Sequence, residues 1–127
     1  MTDQPAPITK TILVVDDDDD VRKVLRLMLE SGNYRVLEAV DGRMALRRVH
    51  DENIDLVMTD LVMPEQEGIE TIQAIRRECP SLKVIAMSGA FGGGFLHMAK
   101  LLGAHSTLQK PLRLEVVLRA VADALAS

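Results

Sequence analysis

Apolar residues follow two alternating rhythms along this chain. Short unbroken runs rich in β-branched residues, such as TILVV at 11–15, are the mark of a strand buried on both faces. The same reading gives strands at 34–39 (YRVLEA), 54–60 (IDLVMTD), 82–88 (LKVIAMS) and 105–109 (HSTLQ), the last more polar and so suited to a sheet edge. Between them, apolar positions recur at helical spacing. Val21, Val24, Leu25, Met28 and Leu29 mark a first helix, stopped by Gly32. Ala45, Leu46 and Val49 mark a second, and Ile69, Ile72 and Ile75 a third that follows Gly68. Phe95, Met98, Ala99 and Leu102 mark a fourth, stopped by Gly103, and Leu114, Val117, Leu118, Val121 and Leu125 a fifth.

Strand and helix therefore alternate five times without a repeated block. That order predicts an α/β fold with a doubly wound parallel sheet, in which right-handed crossovers place helices on both faces. For five strands and five helices the expected form is a three-layer, flavodoxin-like arrangement with strand order 2-1-3-4-5. Ligands of such sheets sit beyond the carboxyl ends of the strands, at the switch point between the first and third.

Composition narrows the chemistry. The 127 residues suit one domain with one core, and 47% hydrophobic residues argue against disorder. Aromatics are 2%, so the core must be aliphatic. A net charge of −4 argues against direct nucleic-acid contact, because phosphate neutralisation needs clustered Lys and Arg. No apolar run approaches the roughly 20 residues of a membrane span, and the first ten residues lack a secretory pattern. The lone Cys79 can form no internal disulfide, so a cytoplasmic location is expected, and with no His near it in sequence it does not read as a nucleophile. His50, His97 and His105 lack metal spacing.

The strand ends carry the candidate chemistry. The first strand runs into Asp16 and Asp17, the third ends in Asp60, the fourth in Ser88, and the fifth runs into Lys110 and Pro111. Adjacent parallel strands lie about 4.8 Å apart, so Asp16, Asp17 and Asp60 would crowd together. Three such carboxylates cannot all stay ionised without compensation, and an all-oxygen set suits Mg²⁺. Lys110 adds a second positive charge and Ser88 a hydroxyl. Together these groups are equipped for phosphoryl transfer to a carboxylate. Asp18, Asp19 and Asp20 have another task, at the first helix's start, where side-chain oxygens cap free N–H groups and the dipole favours negative charge. The aspartate run is no EF-hand loop, because its glycine and closing glutamate are absent. GAFGGG (89–94) is no nucleotide loop, because no Lys-Ser/Thr follows.

ILVVDDD, YRVLEAVDGRMAL, IDLVMTDLVMPEQEG, VIAMSG and LQKPL, in this order, make the chain resemble a response-regulator receiver domain of two-component signalling, CheY-like and single-domain. The resemblance runs from Thr11 to about Leu125, and sets a tail at 1–10 apart from a receiver domain at 11–127. It implies that Asp60 accepts a phosphoryl group from a histidine kinase or phosphotransfer protein. Asp16, Asp17, Asp60 and the backbone carbonyl of Val62 would hold Mg²⁺. Ser88 and Lys110 would contact the phosphoryl group, and the Lys110–Pro111 bond would be cis. The chain would then be a phosphorylation-controlled module rather than an enzyme with a separate substrate. It would act as a monomer or phosphorylation-dependent dimer on a separate output protein. The family's reporter face, between the fourth helix, fifth strand and fifth helix, would include Lys100, Arg113 and Arg119.

Some positions depart from the family pattern. Thr107 stands where Tyr or Phe is common, so the usual inward swing of an aromatic cannot operate. Gly92, Gly93 and Gly94 predict a mobile segment before the fourth helix and a shortened helix. Val62 and Ala90, apolar at positions that flank the attacking water, imply slow self-dephosphorylation. One competing reading is a small Mg²⁺-dependent haloacid-dehalogenase-like phosphatase with Asp16 as nucleophile and Asp18 as its partner. It leaves Asp60 unexplained and gives no room for a cap. A flavin-binding flavodoxin-like protein is the other, but the first loop lacks a Ser/Thr/Gly pattern for the flavin phosphate.

Overall fold

The computed structural model describes residues 9–61, 67–89 and 92–127, with the backbone alone at 67 and 92–96. The elements follow one another as β1 (Thr11–Val15), α1 (Asp19–Ser31), β2 (Arg35–Ala39), α2 (Gly42–Asp51), β3 (Leu56–Asp60), α3 (Glu67–Glu78), β4 (Lys83–Ser88), α4 (Gly92–Leu101), β5 (Ser106–Gln109) and α5 (Leu114–Ala126). The strands form one parallel sheet in the expected order β2-β1-β3-β4-β5. Of the tail expected at 1–10, residues 1–8 lie outside the described residues.

Alternation along the strands splits the core in two. Leu13, Val15, Val57, Val84 and Ala86 face α2, α3 and α4, where they meet Ala45, Ile72, Ile75 and Ala99. Ile12, Val14, Met58, Ile85 and Met87 face α1 and α5, where they meet Leu25, Leu29, Val117 and Val121. With both faces covered, the central strands need unbroken apolar sequence, which is why these runs read so clearly. Among the described residues no helix is long and apolar enough to cross a membrane.

The helix ends follow from local chemistry. Asp18 caps α1 by accepting from the amides of Asp20 (2.9 Å) and Val21 (3.3 Å), with Asp19 and Asp20 in the first turn. Asp41 caps α2 through the Met44 amide. Gly103 follows α4 with φ of +106°, a left-handed conformation that glycine adopts without strain.

Three expectations change. Val24, Met98 and Leu114 are 47%, 47% and 41% exposed, so they do not belong to the core. On α1 the inward stripe is instead centred on Arg22, Leu25 and Leu29. The glycines 92–94 form the first turn of α4 rather than a segment ahead of it, and α4 keeps ten residues.

Candidate functional site

β1 and β3 run side by side with Val15 opposite Thr59, so the next residues along, Asp16 and Asp60, come together at the carboxyl ends of the two strands. Asp16 and Asp60 are buried and Asp17 is exposed. Each of the three offers a carboxylate oxygen, and these atoms all lie within 4.8 Å of one another. A hard divalent cation fits this donor set, which is all oxygen and is exposed on the Asp17 side.

Lys110 reaches the carboxylates from β5's end. Its Nζ donates to Asp16 Oδ2 at 3.0 Å and stands 3.5 Å from Asp60 Oδ1. Burial works against this ammonium, but the hydrogen bond and charge of Asp16, and then Asp60, outweigh it and raise its pKa above the ordinary lysine value. The lysine therefore stays protonated at neutral pH. Its backbone amide donates to the Ser88 carbonyl at 2.8 Å, which fixes the turn that carries it, and the Lys110–Pro111 bond is cis as expected. Ser88 ends β4, one residue past Met87, the register partner of Asp60. It is fully buried, and its Oγ has no hydrogen-bond partner among the described residues.

The structure thus brings Asp16, Asp17, Asp60 and Lys110 to one place, with Ser88 at the adjoining strand end. Val62 and Ala90 lie outside the described residues. Thr107 sits on β5 and lines a groove of about 390 Å³ with Val116, Arg119 and Ala120.

The sequence reading missed Arg22 and Glu38. Arg22 Nη1 donates to the backbone carbonyl of Asp16 at 2.6 Å, and Nε donates to Glu38 Oε1 at 3.0 Å. Its Nη2 is paired with Asp19. The signal is faint: Arg22 shares a helical stripe with Leu25 and Leu29, and Glu38 shares a face of β2 with Val36, two residues before it.

Comparison with known proteins agrees with this geometry. The family model of the response regulator receiver domain matches residues 12–122. The chain is 33% identical over 116 residues to the CAI-1 autoinducer sensor kinase/phosphatase CqsS of Vibrio cholerae, covering 89% of this chain and 17% of that protein. It is 34% identical over 113 residues to the response regulator GtcR of Aneurinibacillus migulanus, covering 88% of this chain and 46% of that protein. The chain therefore spans less than half the length of either relative. A response regulator from Thermotoga maritima superposes with a TM-score of 0.84 at 30% identity, covering 94% of this chain and all of that one. A receiver domain protein from Clostridium thermocellum gives 0.86 at 28% identity, covering 92% and 94%. The haloacid-dehalogenase-like alternative finds no support in these matches. Sequence match, sheet order and the acidic cluster at the switch point agree: the chain belongs to the response regulator receiver domain family.

Proposed function

We propose that Asp60 is the phosphoacceptor of this receiver domain, taking its phosphoryl group from a histidine kinase or a phosphotransfer protein. The observation that carries this reading is the meeting of the Asp16, Asp17 and Asp60 carboxylates within 4.8 Å, with the Lys110 ammonium 3.0 and 3.5 Å from two of them. An Asp60 oxygen attacks phosphorus. A new O–P bond forms as the N–P bond of phosphohistidine breaks, and the imidazole leaves with the electron pair. Lys110, held protonated, offsets the charge that gathers on the transferred oxygens. The buried Ser88 hydroxyl is a donor with spare capacity at the adjoining strand end. Asp16, Asp17 and Asp60, with the Val62 carbonyl, would hold Mg²⁺, which when bound supplies neutralisation of the phosphoryl charge.

In this reading the receiver occupies 11–127 behind a tail at 1–10, works in the cytoplasm, and turns over no separate substrate. It acts as a monomer or a phosphorylation-dependent dimer, and phosphorylation switches its contact with an output partner. Mass spectrometry after treatment with acetyl phosphate and Mg²⁺ should show one added phosphoryl group on the wild type and none on Asp60→Asn. Equal labelling of Asp60→Asn, or sustained turnover of p-nitrophenyl phosphate, would overturn it.

A further inference from the structure

Asp16 is fixed at every polar atom. Its amide donates to the Ala39 carbonyl at 3.1 Å, its Oδ1 accepts from the Asp18 amide at 2.9 Å, and its Oδ2 accepts from Lys110 at 3.0 Å. Its carbonyl oxygen accepts from Arg22 Nη1 at 2.6 Å. That oxygen belongs to the peptide unit linking Asp16 to Asp17. Because a peptide unit is planar, a clamp on its oxygen also fixes the Asp17 amide and the direction in which the Asp17 side chain departs. Arg22 is itself tightly held. Its side chain is 10% exposed, and its fork is anchored by Asp19 and by Glu38 on β2, which Arg26 also holds at 2.8 Å.

We infer that Arg22 is a positioning residue for the cation site: it locks the peptide plane joining Asp16 to Asp17, so that both carboxylates are preset for a divalent metal. The inference rests on the reading of Asp16, Asp17 and Asp60 as cation ligands. Arginine is required because its planar fork serves three acceptors at once. A lysine keeps the charge but is a point donor that cannot hold the carbonyl, Glu38 and Asp19 together. A residue that acts on ligands in this indirect way typically changes metal affinity by about 10–100-fold.

Mn²⁺ binding to the unphosphorylated chain, followed by electron paramagnetic resonance of the free ion with Mg²⁺ in competition, tests this without any phosphoryl transfer. Arg22→Lys should weaken binding about tenfold. Leu29→Ala, a core truncation near the other end of α1, lowers the urea midpoint but should leave affinity unchanged. Glu38→Gln should weaken binding to a smaller degree. Glu30→Gln, which removes the same charge from Arg26's other partner and leaves the clamp intact, should weaken it less still. Arg22→Lys binding within twofold of wild type overturns the inference, as does Leu29→Ala losing as much as Arg22→Lys. If Arg22→Lys does not fold, the glutamate pair decides, and equal affinities overturn the inference. Asp17→Asn keeps the outcomes separable: wild-type affinity in that variant removes the cation-site reading itself, and the positioning role with it.

Discussion

A single methyl group at Gly68 would press on the backbone that carries Asp60. A Cβ built there stands 2.4 Å from the Asp60 carbonyl oxygen, 2.6 Å from Leu61 Cα and 2.7 Å from the Leu61 carbonyl oxygen. All three are main-chain atoms, so no side chain can swing aside. Overpacking of this kind costs about 1–3 kcal/mol, and Gly68→Ala should fall at or above the top of that range. Urea denaturation should show a clear drop in midpoint, with acetyl phosphate labelling slowed because Asp60 shifts; an unchanged midpoint would contradict the close approach. From sequence, Gly68 reads only as the residue ahead of the third helix, whereas it lies in that helix's first turn. Asp16, Asp17, Asp60, Ser88 and Lys110 were legible because each closes an apolar strand run, and the fold class states where such ends converge. Arg22 and Glu38 were not, since a charged residue on an inward stripe is easily passed over in favour of an apolar neighbour. Val24 took Arg22's place in that reading, and the structure exposes it.

At the scale of elements, the strands were the most legible, because burial on both faces forces a continuous apolar signal. Helix orientation was harder. α1 and α4 each have large apolar residues on the solvent side, Leu27 at 61% exposed and Leu101 at 75%, and these blur the stripe. The start of α4 was misplaced for a related reason. Glycine is a poor helix former, by about 1 kcal/mol per residue relative to alanine, so a triglycine reads as loop. Here it makes the first turn, and the helix after it packs through Ala99, which is fully buried. Tertiary burial has overridden local propensity, and the cost remains in the helix. The amides of residues 96–98, which bond back onto the glycine turn, should therefore exchange with solvent faster than those of residues 118–120 at the same depth in α5. Replacing the three glycines by alanine should slow that exchange. Equal protection in the two helices of the wild type would refute this.

For the whole molecule, the site is a local excess of negative charge built into an otherwise well-packed sheet. Three carboxylates share a space of 4.8 Å against one ammonium, that of Lys110, which pairs with both Asp16 and Asp60, so two negative charges remain in excess. Arg22 is close in the fold, but its donors are committed to the Asp16 carbonyl, Glu38 and Asp19. Folding must therefore bring like charges together, and anything that binds the folded cluster stabilises the whole domain by mass action. A cation at about a hundred times its dissociation constant contributes about 2.7 kcal/mol. For a domain of this size that is roughly 10 °C in melting temperature. Thermal melts in EDTA and in saturating Mg²⁺ should differ by that order. In Asp17→Asn the two effects separate. Its melting temperature in EDTA should exceed that of the wild type, because one repelling charge has gone, and its response to Mg²⁺ should be largely lost, because a ligand has gone with it. An Asp17→Asn protein less stable than wild type in EDTA, yet fully responsive to Mg²⁺, would mean that the acidic cluster is neither strained by its charge nor the place where the cation binds.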